Sequence, residues 1–158
     1  MPQIGEAAPD FSLVADDGST VTLIALRGRP VVVYFYPRDD TPGCTVQACD
    51  FRDRNAVWAT ELTTTVLGIS ADSTAAHVRF KKKFGLNFPL LSDPSKETMR
   101  AYGAFGKKVM YGKTIDGIIR STFLVDANGT LVRAWPKVSV KGHADEVLAA
   151  IRNLAQRV

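Results

Sequence analysis

Cys44 and Cys49 are the only two cysteines in the chain, and they follow the stretch Pro37-Arg38-Asp39-Asp40-Thr41-Pro42-Gly43. A cysteine reacts as its thiolate, and a helix N-terminus favours that form by aiming partly positive backbone N–H groups at the sulfur. Thr41 fits an N-cap and Pro42 a first helical residue, because proline's fixed φ suits that place and its missing donor would be unpaired there anyway. Cys44 then falls in the first turn. Gly43 lets another group approach the backbone closely, and the Thr41 hydroxyl is able to donate to an oxygen bound beside the sulfur. These are the needs of attack on an O–O bond. The thiolate displaces one oxygen in line, and donors hold the charge that develops on the departing one.

Cys49 offers a second thiol. In a regular helix, Cα atoms five residues apart lie about 8.6 Å from one another and face directions about 140° apart. Bridged Cα atoms seldom exceed about 7 Å, so a Cys44–Cys49 disulfide requires the first turns of the helix to unwind. In that cycle Cys44 becomes a sulfenic acid, Cys49 attacks it to give a disulfide and water, and an external dithiol restores both thiols. Closing so short a loop restricts the unfolded chain little, which favours a redox over a structural role for the pair.

The elements that must position these thiols are legible in the hydrophobic pattern. Candidate strands at residues 11–14 and 20–23 flank the turn signal Asp16-Asp17-Gly18-Ser19, which predicts an N-terminal hairpin. Val31-Val32-Val33-Tyr34-Phe35-Tyr36 is a continuous β-branched and aromatic run ended by Pro37, as expected of a central strand buried on both faces. After the Cys44 helix, the pattern predicts a strand over 65–69, a helix over 74–84, a strand over 88–91 and a helix over 96–102. Two β-rich runs, 119–126 and 131–135, surround Ala127-Asn128-Gly129, and Asn-Gly is a strong hairpin signal. A closing helix over 144–157 lines up Val147, Leu148, Ile151 and Leu154 on one face, with Asp145 and Glu146 near its start and Arg152 and Arg157 toward its end. The sum is an α/β fold with a central mixed sheet flanked by helices.

At 158 residues, with 46% hydrophobic and 23% charged residues, one soluble domain spanning 1–158 is expected. No apolar run approaches the roughly 20 residues needed to cross a bilayer, so no membrane association is expected. The N-terminal residues lack the features of a signal peptide, and a cytoplasmic location is expected. The net charge of +4 is mild. Its densest cluster, Arg79-Phe80-Lys81-Lys82-Lys83, reads as the solvated face of a helix, without the exposed aromatics of a nucleic-acid binder. His77 and His143 read as surface or capping residues, and their spacing from the cysteines lacks the pattern of a zinc site. No metal or cofactor is expected.

Tyr34-Phe35-Tyr36-Pro37, Thr41-Pro42-Gly43-Cys44-Thr45 and Cys49 resemble the peroxiredoxins of the PrxQ type, also called bacterioferritin comigratory protein. Leu67-Gly68-Ile69-Ser70, Phe88-Pro89-Leu90-Leu91-Ser92-Asp93, Met110-Tyr111-Gly112-Lys113-Thr114 and Gly117-Ile118-Ile119-Arg120-Ser121-Thr122-Phe123-Leu124-Val125-Asp126 follow in family order, so the resemblance covers essentially the whole chain. It implies a thioredoxin-like fold, reduction of hydrogen peroxide and organic hydroperoxides, and re-reduction by thioredoxin or a similar dithiol. The family's Pro-x-x-x-Thr-x-x-Cys signature matches Pro37, Thr41 and Cys44, its active-site arginine matches Arg120, and Cys49 matches the resolving cysteine. Pro37 would shape and shield the pocket, Thr41 would orient the peroxide, and Arg120 would stabilise thiolate and departing oxygen. The stretch 105–109 reads as a loop beside that pocket. A monomer is expected, a dimer being the other state met in the family.

Other readings of the same residues remain open at this stage. Arg120 could pair with a carboxylate such as Asp116. A disulfide exchanger would use a shorter Cys-x-x-Cys interval. A copper-delivery protein would bind Cu(I) through both thiolates and a histidine, and a redox-switched binding module could share the same unwinding helix.

Overall fold

In the computed structural model, which describes residues 1–156, the turn at 16–19 is tied by Asp17, whose carboxylate accepts the backbone N–H and hydroxyl of Ser19 at 2.9 and 2.6 Å. Strands β1 (Ser12–Ala15) and β2 (Thr20–Thr22) pair antiparallel across it, giving the expected hairpin. β3 (Val31–Phe35) is buried along its whole length and leads into α1 (Pro42–Ala56), which carries both cysteines. β4 (Thr65–Ser70), α2 (Thr74–Phe84), β5 (Leu90–Ser92) and α3 (Glu97–Ala101) follow. A separate hairpin of β6 (Phe105–Met110) and β7 (Lys113–Ile118) precedes β8 (Ser121–Val125), β9 (Leu131–Trp135) and α4 (His143–Ala155). Arg157, expected in the last turn of α4, lies outside the described residues. No helix among the described residues is long and apolar enough to cross a membrane.

The main sheet has seven strands in the order β2-β1-β5-β4-β3-β8-β9. β3, β4 and β5 run parallel to one another, while β8 pairs antiparallel with β3, so the sheet is mixed as the sequence indicates. β3 shows why a continuous apolar run belongs at the centre. Val31, Val33 and Phe35 face one layer, packing with Met99 of α3 and with Phe11, Leu23 and Tyr102. Val32 and Tyr34 face the other, with Cys44, Ala48 and Phe51 of α1, Phe80 of α2 and Val147 and Ile151 of α4. Each of these large apolar side chains contributes about 1.5–3 kcal/mol of burial, on both faces of one strand. The β3–α1 unit that places Cys44 therefore rests on the best-packed part of the molecule.

Three local features depart from the sequence expectation. β5 begins two residues later than the run 88–91 suggested, because Phe88 is used as a plug in the α1 layer rather than as a strand residue. The stretch 105–109 is a strand and not a loop. β6 and β7 pair from Phe105↔Ile118 to Met110↔Lys113 across the residues Tyr111 and Gly112, both at positive φ (52° and 76°). A two-residue turn demands that conformation at both positions, and a tyrosine there hides the usual turn signal. Thr41 has the extended backbone of an N-cap (φ −97°, ψ 156°), but its side chain does not cap the helix.

Candidate active site

β3 delivers Tyr36 and Pro37 to the edge of the α1 layer, where the chain turns through Arg38, Asp39 and Asp40 before the helix begins. The Thr41 hydroxyl donates to the carbonyl of Arg38 at 2.9 Å, closing this loop on itself. Its single hydrogen is thus engaged, and the hydroxyl must rotate away from Arg38 to donate to a bound oxygen. Pro42 opens α1 as expected, the Thr45 amide donates to the Thr41 carbonyl at 2.8 Å, and Cys44 sits in the first turn, 2% exposed. The amides of Gly43 and Cys44, ahead of that first helical bond, have no partner within the helix and point along its axis toward the loop side, the partly positive end that a thiolate needs.

Arg120 reaches the sulfur from the link between β7 and β8. Its Nη2 donates to Cys44 Sγ at 3.3 Å, and its Nη1 donates to Gln47 Oε1 at 2.6 Å. The Val138 amide donates to the Arg120 carbonyl at 2.8 Å and anchors the backbone behind it. A Cβ at position 43 would lie 3.2 Å from Nη2, which explains the glycine before the cysteine: a side chain there would press on the guanidinium. The carboxylate partner considered for Arg120 is ruled out by position, since Asp116 stands opposite Lys107 in the β6–β7 hairpin. Gln47, 1% exposed, is the residue that sequence reasoning missed. Its one local mark is its place three residues after Cys44 on the same face of the helix, which does not by itself tell a buried glutamine from one facing water.

Pro37 and Arg120 line one cavity of ≈ 510 Å³, walled by Val109, Ile118, Ile119 and Val138 and rimmed by Lys107 and Lys137. The structure therefore joins Cys44 to this cavity through Arg120, which lines it together with Pro37, and the missed hairpin forms a wall of the opening; Thr41 stands at the N-cap of the Cys44 helix, with its hydroxyl on the Arg38 carbonyl. Cys49 is elsewhere on the same unbroken helix, half-buried, and neither thiol is bridged. Beneath Cys44, Tyr34 stacks edge-on against Phe51 at 4.7 Å, and its hydroxyl has no partner among the described residues. Burial, with the Cys44 charge adding to it, pushes the Tyr34 phenol well above its ordinary range.

Neither histidine is the surface or capping residue that the sequence suggested, since both are buried and the N-cap positions of α2 and α4 belong to Ser73 and Gly142. His77 is wholly buried, with Nδ1 2.6 Å from Asp39 Oδ2 and Nε2 2.9 Å from the Leu91 carbonyl oxygen. His143 is the first residue of α4 and 2% exposed, with Nε2 2.8 Å from Thr122 Oγ1. Desolvation holds His143 below its ordinary pKa, against the opposing hydrogen bond and charge of Glu146 and with the charge of Arg120 adding to the lowering. Each ring already has polar partners away from the thiols, so the Cu(I) arrangement of two thiolates and a histidine finds no ligand here.

Comparison with known proteins places this geometry. Residues 4–134 match the AhpC/TSA family. The chain is 46% identical over 151 residues to a putative peroxiredoxin bcp of Coxiella burnetii, spanning 94% of this chain and 98% of that one. It is 43% identical over 155 residues to peroxiredoxin Bcp of Bacillus subtilis, spanning 98% of each. Among solved structures, the bacterioferritin comigratory protein of Xanthomonas campestris, described for its alkyl peroxide reduction activity, superposes with a TM-score of 0.87 at 43% identity over 92% of both chains. A cysteine-to-serine variant of PrxQ from Xylella fastidiosa superposes with a TM-score of 0.91 at 34% identity over 98% of both.

Proposed function

The chain belongs to the AhpC/TSA family and is a peroxiredoxin, a thiol-dependent peroxidase of the PrxQ type; from that premise we propose that Cys44 is the peroxidatic thiol, Cys49 the resolving thiol, and Pro37, Thr41 and Arg120 the residues that prepare the peroxide. The observation that carries the reading is the Arg120 guanidinium, bonded to Cys44 Sγ at 3.3 Å while Gln47 fixes its other nitrogen at 2.6 Å.

A hydroperoxide enters beside Pro37 and Arg120, and the Cys44 thiolate attacks its terminal oxygen in line. The O–O bond breaks, the S–O bond forms, and the departing alkoxide or hydroxide takes a proton to leave as alcohol or water. Arg120 favours the thiolate before attack and the departing oxygen during it, and a guanidinium does so without a proton transfer of its own. Thr41 turns its hydroxyl from Arg38 to the peroxide and fixes the angle of approach. The apolar walls of the cavity accommodate the organic part of an alkyl hydroperoxide, and hydrogen peroxide needs only the polar floor.

Resolution then requires the helix to open. Cys44 and Cys49 occupy one continuous α1, where five residues of regular helix hold their Cα atoms about 8.6 Å apart, beyond the reach of a disulfide. With the first turns unwound, the Cys49 thiolate attacks the Cys44 sulfenic acid, the S–S bond forms, and the hydroxyl leaves as water with one proton. A dithiol protein such as thioredoxin is the proposed reductant, attacking the exposed disulfide and returning both thiols. Hydroperoxide consumption coupled to thioredoxin and its reductase tests this: turnover requires Cys44, and undiminished turnover in Cys44→Ser contradicts the assignment.

A further inference from the structure

α1 carries a second place at which a helix could begin, one residue beyond Cys49. Asp50-Phe51-Arg52-Asp53 sets a favoured N-cap residue ahead of a further carboxylate in what would be a first turn, the local signature of a helix start. It nevertheless lies inside an unbroken helix. An aspartate is a poor helix former there, because its side chain competes for nearby backbone groups. Among the described residues, the side chain bonded to Asp50 is that of Arg54, whose Nη1 donates at 3.0 Å to its backbone carbonyl, and the Asp50 carboxylate is left without a partner.

The packing of α1 changes at the same residue. Between Pro42 and Cys49 the buried side chains are Cys44, Gln47 and Ala48, and among the described residues the side-chain bonds from this stretch to other elements run to Arg120. Past Asp50, Phe51 is 0% exposed, as is Trp58 just beyond α1, and the Phe51 ring meets those of Tyr34 and Trp58 at 4.7 and 5.2 Å. Three polar side chains add to this hold. Arg52 Nη1 donates to the Phe84 carbonyl at the end of α2 at 2.5 Å, Asn55 Nδ2 donates to the Asn87 carbonyl at 3.0 Å, and Arg54 pairs with Asp145 of α4 at 2.9 Å. Apolar stabilisation grows with the area removed from water, so two large aromatics hold the second part of the helix far more firmly than an alanine and a cysteine hold the first. Unwinding from the N-terminus therefore meets its first strong resistance at Phe51.

We propose that Asp50 is a positioning residue for resolution: when α1 opens, its carboxylate caps the shortened helix, so that unwinding stops one residue past Cys49 and leaves both thiols in the released segment. The proposal rests on the Cys44–Cys49 cycle and names what limits its opening. In the whole helix the amides of Arg52 and Asp53 donate to the carbonyls four residues back, those of Ala48 and Cys49. Opening removes those carbonyls, and the same two amides become the second and third donors of a new first turn, the ones an N-cap carboxylate accepts from. The Asp50 carbonyl stays in place, held by the side chain of Arg54, which Asp145 anchors in turn. Cys49, then outside the helix, has free backbone angles with which to bring its Cα within about 7 Å of that of Cys44. The step exchanges hydrogen bonds only. Attack of the Cys49 thiolate on the Cys44 sulfenic acid, with loss of water, follows from the capped state.

The test compares side chains at one position. Asparagine keeps an N-cap oxygen, alanine has none, and glutamine stands outside the N-cap group although it differs from asparagine by a single methylene. Each variant is mixed rapidly with hydrogen peroxide, quenched and mapped by mass spectrometry, so that loss of the Cys44 thiol and appearance of the Cys44–Cys49 disulfide are timed separately. Asp50→Ala should oxidise Cys44 within about twofold of the unaltered rate, as expected of a change away from the reacting atoms. Its disulfide should form about fivefold more slowly, the usual worth of an N-cap side chain, and more Cys44 should reach sulfinic acid at high peroxide. Asp50→Asn should bring disulfide formation back to within about twofold of the unaltered rate. Asp50→Gln, the second variant should alanine fail to fold, should be as slow as Asp50→Ala. The denaturant midpoint of reduced Asp50→Ala should be no lower than that of the unaltered protein, since alanine is the better residue inside an unbroken helix. A side chain that merely stiffened the closed helix would lose midpoint and rate together. Amide exchange in the disulfide form should show protection lost through Cys49 and kept from Arg54 onward. Equal disulfide rates in the capping and non-capping variants, or loss of protection running past Arg54, overturn the proposal. Absence of a Cys44–Cys49 disulfide in the unaltered protein would refute the two-thiol cycle itself, and the proposal with it.

Discussion

Arg120 and Gln47 allow the arrangement around Cys44 to be tested as a coupled unit. Arg120→Met removes both guanidinium bonds, the one to Cys44 Sγ at 3.3 Å and the one to Gln47 Oε1 at 2.6 Å. Loss of a preorganised donor to developing charge costs about 10²–10³ in rate, or about 2.7–4 kcal/mol of barrier. Gln47→Leu leaves the charge in place but frees one end of the fork, and a loss of about tenfold, about 1.4 kcal/mol, is expected from the poorer aim. Gln47 has its effect only through Arg120, so the double variant should be no slower than Arg120→Met alone, giving a coupling of about 1.4 kcal/mol in the cycle. The assay is stopped-flow oxidation of Cys44 by hydrogen peroxide in a Cys49→Ser background, which isolates the first step. Additive losses in the double variant would refute the orienting role of Gln47. A rate for Arg120→Met within about threefold of the parent, under about 0.7 kcal/mol, would refute the role of the guanidinium itself.

Thr41→Val should separate chemistry from capping: the side chain makes no cap bond, so stability should change by no more than the single exposed bond to Arg38, about 1 kcal/mol or less, while the peroxide step slows by about tenfold or more. Equal losses in denaturant midpoint and rate would contradict this. Gly68→Ala should lower Tm, because a Cβ there would lie 2.9 Å from the Tyr34 hydroxyl oxygen and 3.0 Å from two of its ring carbons in a fully packed layer. The cost of such overpacking is about 1–3 kcal/mol, with each kcal/mol worth about 2–4 °C in a chain of this size, and an unchanged Tm would contradict it. His143 binds its proton less readily folded than unfolded, so its share of stability is fully present above the unfolded value of 6.5 and is lost as pH falls from there to the lowered folded value. Urea unfolding should show a decline below that pH that is shallower in His143→Gln, and equal slopes would contradict the linkage.

The central run Val31–Tyr36 and the Thr41-Pro42 boundary were readable because each obeys a strong local rule: an apolar strand buried on both faces and a proline at the first helical position. Those two rules together placed Cys44, and with it the need to unwind α1. The β6–β7 hairpin was not readable, because its strands are largely exposed and carry little apolar alternation, and Tyr111 occupies a turn position usually taken by glycine or asparagine. Gln47 and the two histidines were missed for a different reason. Their partners lie far along the chain, Arg120 for Gln47, Asp39 and Leu91 for His77, and Thr122 for His143, and no local periodicity distinguishes a polar residue buried against such a partner from one facing water. Arg120 itself was assigned through resemblance, since from local sequence a surface ion pair is the commoner fate of an arginine.

The most direct test of the account is peptide mapping by mass spectrometry of the protein treated with one equivalent of hydrogen peroxide. An intramolecular Cys44–Cys49 disulfide should accumulate, with Cys49→Ser stopping at a Cys44 sulfenic acid after a normal first turnover and Cys44→Ser consuming no peroxide. Sustained thioredoxin-dependent turnover in Cys49→Ser, or peroxide reduction that survives Cys44→Ser, would contradict it.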